Sequence, residues 1–124
     1  MRVLVVDDSR AIRAVITRML TQLGHEHATA GNGQEALDAV HGQGPFDLAL
    51  VDWNMPVMNG LDFVRSVRAD ARFEEMKIMM VTTETEIERI SMALDSGATE
   101  YLMKPFTQEA LVDKLALMGF DQAA

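Results

Sequence analysis

Four places along the chain carry side chains that can act together on a phosphoryl group. Asp7 and Asp8 follow the apolar run at 3–6, Asp52 ends the run at 48–51, Thr82 and Thr83 close the run that starts at Ile78, and Lys104 precedes Pro105. A carboxylate costs several kcal/mol to bury unless it is paired, so one that closes an apolar run belongs at an exposed strand end with a partner. Three carboxylates in one crevice repel and raise one another's pKa unless a cation sits among them. Oxygen donors without His or Cys suit a hard cation, and Mg²⁺ is content with a few carboxylates, waters and a phosphate. With a lysine as second positive charge and a hydroxyl, the set suits acceptance of a phosphoryl group, with Asp52 as nucleophile on a rigid element. Each position alone is ordinary, because an aspartate after a strand is commonly a turn residue or a helix cap. Four suitable strand ends together are not. Thr83 is read as an ordinary strand-end threonine, since one hydroxyl suffices.

These positions converge only if the runs share one sheet. Runs at 3–6, about 26–30, 48–51, 78–82 and 100–103 alternate with segments of helical period, the pattern of βα repeats. After the first run, Ile12, Ile16, Met19, Leu20 and Leu23 fall on one helical face, with Ser9 placed to cap it and Gly24 to end it. Further helices are expected at about 33–42, 60–70, 85–96 and 107–118, the last with Thr107 as N-cap and Glu109 in its first turn. Strands one, three and four lack polar alternation, as strands covered on both faces do, so the sheet should be parallel. The expectation is an α/β fold with an open, doubly wound, five-stranded parallel sheet and right-handed crossovers. Such sheets place their sites outside the carboxyl ends of the strands.

Composition narrows the function. The 124 residues suit one domain over 1–124, and 48% hydrophobic with 24% charged residues is the balance of a folded protein. No apolar run approaches the ~20 residues of a membrane span, and MRVLVVDDS is too short for a signal peptide, so a cytosolic protein is expected. The absence of cysteine excludes disulfides and thiolate metal sites. A net charge of -8 argues against nucleic-acid binding, and Arg10, Arg13 and Arg18 are spread along one helix as on a solvated face.

Asp7-Asp8, LALVDWNMPVMNG at 48–60, VTTE at 81–84 and GATEYLMKPF at 97–106 resemble the receiver domain of bacterial two-component response regulators. The resemblance covers essentially the whole chain. Most similar are the small stand-alone chemotaxis regulators of the CheY type, which also tend to carry Trp and Asn after the phosphorylated aspartate, as Trp53 and Asn54 stand here. The resemblance implies a (βα)5 flavodoxin-like fold with strand order 2-1-3-4-5. It makes Asp52 the phosphoacceptor and Asp8, Asp52 and the backbone carbonyl of Asn54 ligands of Mg²⁺, with Asp7 completing the acidic pocket. Lys104 would pair with the phosphoryl oxygens, and Thr82 would donate its hydroxyl to one of them. Tyr101 would be the aromatic switch that turns inward when Thr82 moves, and the Lys104–Pro105 peptide would be cis.

The implied function is a signalling switch that promotes only its own phosphorylation and dephosphorylation. A histidine kinase or phosphotransfer protein would supply the phosphoryl group, and a protein target would dock on the face of the fourth helix, fifth strand and fifth helix of a monomer. The alternative is a receiver from a non-chemotaxis phosphorelay or a larger regulator. TETEIER at 83–89 is acidic where chemotaxis regulators often carry lysines, whereas Met1 and the ending GFDQAA favour a complete small protein.

Two other chemistries fit less well. A Mg²⁺-dependent phosphohydrolase of the haloacid-dehalogenase type needs a second acid two residues after its aspartyl nucleophile, and Asn54 stands there. A flavin carrier needs a phosphate cradle after the first strand, where Asp7-Asp8 would repel the phosphate. His25 and His27 suggest no third ligand nearby and are read as half-exposed edge-strand residues. The ten methionines are read as gap-filling core. The glycines of GNGQ and HGQG are read as turn and cap residues.

Overall fold

A computed structural model describes residues 1–83 and 88–120. Strand and helix alternate as β1 (Arg2–Val6), α1 (Arg10–Gln22), β2 (Glu26–Ala30), α2 (Gly33–Gln43), β3 (Leu48–Asp52), α3 (Gly60–Arg68), β4 (Lys77–Thr82), α4 (Ile90–Asp95), β5 (Glu100–Met103) and α5 (Gln108–Leu117). A 3₁₀ turn (Ala71–Phe73) lies between α3 and β4. Every strand pairing is parallel, in the order β2-β1-β3-β4-β5. This is the doubly wound, flavodoxin-like sheet that the runs and the resemblance imply.

Side chains alternate across a strand, so each central strand feeds two cores. Leu4, Val6, Ala49, Val51, Ile78 and Met80 pack with residues of α2, α3 and α4 on one side. Val3, Val5, Leu48, Leu50, Met79 and Val81 pack with residues of α1 and α5 on the other. Burial on both sides leaves no position for polar alternation, which is why the runs read as continuously apolar. In these three strands polar groups emerge only at the ends.

Boundaries follow local chemistry. Ser9 accepts a hydrogen bond from the Ile12 N–H at 3.2 Å and starts α1. Gly24, at φ +84°, ends that helix: its N–H donates to Thr21, and the His25 N–H donates to Leu20. Thr107 caps α5 by accepting from Ala110 at 3.1 Å. Strands β1 and β4 start one residue ahead of their apolar runs, at Arg2 and Lys77, because a backbone ladder needs no apolar side chain. Strand β3 runs on through Asp52. Helix α3 stops at Arg68 rather than 70, where the Arg68 guanidinium donates to Gly97 at 2.8 Å and to Phe73 at 3.0 Å. The first bond ties α3 to the connection between α4 and β5, and the second ties it to the 3₁₀ turn. Of the helix expected at 85–96, Ile90–Asp95 is helical, while 85–87 and the acidic stretch 84–87 lie outside the described residues. Among the described residues no helix is long and apolar enough to cross a membrane.

Candidate functional site

Parallel register assembles the site. Val6 pairs with Val51, so the next residues, Asp7 and Asp52, emerge side by side. Asp52 pairs with Val81, which places Thr82 one step further along β4. Thr82 pairs with Met103, and the Lys104 N–H donates to the Thr82 carbonyl at 2.7 Å. Gly60 holds the loop after β3 close: its N–H donates to Trp53 at 2.9 Å, and a Cβ there would collide with the Asp52 carbonyl oxygen.

Asp7, Asp8 and Asp52 each contribute a carboxylate oxygen to a group whose members lie within 4.8 Å of one another. Asp7 and Asp52 are buried and Asp8 is exposed. The Lys104 Nζ lies 2.9 Å from Asp52 Oδ1 and 3.6 Å from Asp7 Oδ2. The shorter distance is a charge-assisted hydrogen bond, and the longer one is an electrostatic contact without one. Asp7 Oδ1 accepts from the Ser9 N–H at 2.8 Å, whereas its buried Oδ2 has no hydrogen-bond partner. Burial pushes the Asp52 carboxyl up to about 6 against the hydrogen bond from Lys104, and the charges of Asp7 and Asp8 push the same way. The Lys104 ammonium thus faces two buried carboxylates, with the exposed Asp8 carboxylate beside them. An orphaned buried oxygen amid hard donors fits an added divalent cation of the Mg²⁺ class.

The remaining expected residues lie on β4, on β5 and in the loop after β3. Thr82 is fully buried, and its hydroxyl donates to the Thr83 carbonyl at 3.3 Å. Asn54 is exposed in the loop after β3. Tyr101 is half-buried on β5 against the α2–α4 side of the core. The Lys104–Pro105 peptide is cis. His25 and His27 engage separate groups: His25 Nδ1 is 3.4 Å from the Met1 amine and His27 Nε2 is 3.1 Å from Thr21 Oγ1. Two neighbours escaped the sequence reading. The Arg89 guanidinium lies 5.9 Å from the Trp53 ring, and the Lys114 ammonium lies 4.3 Å from the Tyr101 ring while bonding Glu100 at 3.2 Å. Neither contact has a local spacing that marks it, since its partners come from separate elements.

Val57 is strained beside this site. It sits at φ +69°, the Met58 N–H donates to Pro56 at 2.7 Å across it, and its side chain is 83% exposed. A β-branched residue in a γ-turn of that hand costs on the order of 1–3 kcal/mol, and here no packing compensates. Val57→Gly is therefore expected to stabilise the fold by about 1 kcal/mol after the flexibility glycine adds to the unfolded chain. Thermal unfolding checks this, and an unchanged or lower midpoint would mean the loop is not strained.

A family model described as the response regulator receiver domain matches residues 3–116. The chain is 42% identical over 119 residues to the chemotaxis protein CheY1 of Helicobacter pylori, covering 95% of this chain and 96% of that one. It is 44% identical over 116 residues to a chemotaxis protein CheY homolog of Campylobacter jejuni, covering 93% and 89%. The solved structure of the chemotaxis response regulator CheY4 of Vibrio cholerae superposes with a TM-score of 0.87 at 40% identity, over 94% of this chain and 97% of that one.

Proposed function

We propose that this chain, which belongs to the response regulator receiver domain family, is a switch that takes a phosphoryl group onto Asp52 and answers with an altered docking surface. The observation that carries this reading is the Lys104 Nζ at 2.9 Å from Asp52 Oδ1, within a crevice that Asp7 and Asp8 make acidic. In the proposed step a carboxylate oxygen of Asp52 forms a bond to phosphorus as the bond from phosphorus to a donor's imidazole nitrogen breaks, and the imidazole, already protonated on its other ring nitrogen, leaves as the neutral base. Lys104 stays within reach of the phosphoryl oxygens and offsets their charge. Asp8, Asp52 and the backbone carbonyl of Asn54 would hold Mg²⁺, with Asp7 completing the pocket. When bound, the ion neutralises charge on the transferring group.

A histidine kinase or phosphotransfer protein is the proposed donor. The names of the relatives support chemotaxis as the setting. The target would dock across α4, β5 and α5 of a monomeric receiver, and the chain would act on no separate substrate. The test is incubation with Mg²⁺ and acetyl phosphate, followed by mass spectrometry of the peptide holding Asp52. Labelling of that peptide supports the reading, and labelling elsewhere or none counts against it.

Asp8→Ala should weaken Mg²⁺ binding by tenfold or more, because it removes one proposed carboxylate ligand while leaving the core intact. Trp53 is the single tryptophan and follows Asp52 directly, so its emission reports the titration. An unchanged affinity would remove Asp8 from the site.

A further inference from the structure

A cavity of about 390 Å³ opens at the end of the sheet away from Asp52, between the connection from α2 to β3 and the connection from the 3₁₀ turn to β4. Asp47 stands just before β3 and Asp52 closes it, so roughly 16 Å of extended strand separates the cavity from the phosphoryl crevice. Its apolar wall includes Val40, Phe46 and Met76, all buried, and the half-buried Phe73. The His41 ring meets the Phe73 ring edge to face at 5.2 Å, which fixes that side of the wall. Ligand pockets run from roughly 300 to 1,000 Å³, so this one is sized for a small molecule.

Charge at the mouth decides the sign of what enters. Arg72 is committed to Asp70 at 2.6 Å and lies 5.2 Å from the Phe73 ring. Arg2 is committed to Glu26 at 3.6 Å, to the Pro45 carbonyl at 3.1 Å and to the Phe46 ring at 4.6 Å. His41 Nδ1 is 2.9 Å from the Leu37 carbonyl, and its Nε2 is 3.9 Å from Asp70. Lys77 starts β4, and the pleat turns it to the side of Met79 and Val81, whereas Val40, Phe46 and Met76 pack on the opposite side of the sheet. Asp47 and Glu75 are the exposed acids of the mouth, and among the described residues neither is in an ion pair. Asp47 accepts the Arg2 N–H at 2.8 Å, a neutral donor that leaves its charge in place. Two uncompensated negative charges thus border an aromatic wall.

We propose that this cavity binds a small arylalkylammonium, with its ring against Phe46, Phe73 and Met76 and its ammonium facing Asp47 and Glu75. Offset or edge-to-face ring contacts and the Met76 thioether favour an aromatic body over an aliphatic one of equal size. The carboxylates favour a cation and repel an anionic analogue. Binding needs neither Mg²⁺ nor a phosphoryl group, so its test is independent of the switch reading.

The experiment titrates the full chain, without Mg²⁺, with phenethylammonium, with phenylpropanoate and with ethylammonium, following backbone amide shifts that give affinity and location together. Phenethylammonium should shift the amides of Val40, Gly44, Phe46, Phe73 and Met76, and bind more weakly as salt rises. Phenylpropanoate, with a ring but the opposite charge, should bind about tenfold more weakly, and ethylammonium, with the charge but no ring, more weakly still. Asp47→Asn with Glu75→Gln should bring the affinities of the two ring compounds close to equality. Both positions are exposed, and asparagine keeps an acceptor for the Arg2 N–H, so circular dichroism should show an unchanged fold. Equal or tighter binding of phenylpropanoate would show that Arg72 and His41 govern the mouth and would overturn the proposal. So would ethylammonium binding as tightly as phenethylammonium, shifts confined to the Asp52 crevice, no shifts with any probe, or a charge preference that survives in the double variant.

Discussion

Asp52→Asn should abolish labelling by acetyl phosphate and, in the metal-free protein, raise the unfolding midpoint at pH 7 to 8. The first effect follows from loss of the nucleophile, because an amide oxygen does not form an acyl phosphate under these conditions. The second follows from the cost of the charge. With the folded carboxyl pushed up to about 6 from the ordinary 3.8, the folded state binds the proton more tightly than the unfolded one. Stability from this group is therefore full below about pH 4 and is lost as pH rises to about 6. Asparagine has no proton to lose, so the advantage of the variant opens through that window and holds above it. The shift is worth at most about 3 kcal/mol, and water at the open crevice reduces this to about 1–2 kcal/mol, a few degrees in midpoint. Comparing parent and variant at each pH cancels the other carboxylates. Added Mg²⁺ should reverse the order by stabilising the parent selectively. Full labelling of the variant would place the nucleophile elsewhere. A stability gain independent of pH would show that Asp52 carries no burial cost.

The same balance explains why the residues of the candidate site stood out in the sequence. A carboxylate, a hydroxyl and a lysine at the ends of apolar runs break a local rule about burial, and a broken local rule is visible in one dimension. Asp7, Asp52, Thr82 and Lys104 all break it, and parallel pairing brings the strand ends that carry them together. The fold was legible for a related reason: strands covered on both faces read as continuous apolar runs, and caps such as Ser9, Gly24 and Thr107 act within a few residues. What stayed hidden depends on distance in space. Arg89 meets Trp53 and Lys114 meets Tyr101 only after α4 and α5 pack on the sheet. Arg68 likewise shows its role only in space, where its guanidinium donates to the carbonyls of Gly97 and Phe73. The left-handed turn at Val57 was hidden because valine is among the residues least expected to adopt it.

Thr82→Ala should keep phosphorylation and lose most of the response to it. The Thr82 hydroxyl makes a long, neutral 3.3 Å bond to Thr83, which a phosphoryl oxygen can replace with a shorter, charge-assisted one. In the proposed switch, movement of Thr82 toward Asp52 would make room for Tyr101, which stands half-buried on β5. Opposing the inward turn is the Lys114 ammonium 4.3 Å from the Tyr101 ring, held by Glu100, a contact worth roughly 0.5–1 kcal/mol at such a site. The phosphoryl group must exceed that hold for the population to shift, and only contacts that differ between the two states contribute. Coupling of this kind typically spans roughly 5- to 150-fold in partner affinity. In Thr82→Ala the ratio of affinities with and without beryllofluoride should fall close to one, although Asp52 and Lys104 would still hold the mimic. Tyr101 is the single tyrosine, so its ring resonances report the turn without overlap. They should move on adding beryllofluoride to the parent and stay in place in Thr82→Ala. If Thr82→Ala and Tyr101→Ala both retain the parent's affinity ratio, the path from Asp52 to the proposed docking face runs elsewhere, and the Arg89 contact on Trp53 is the next link to cut.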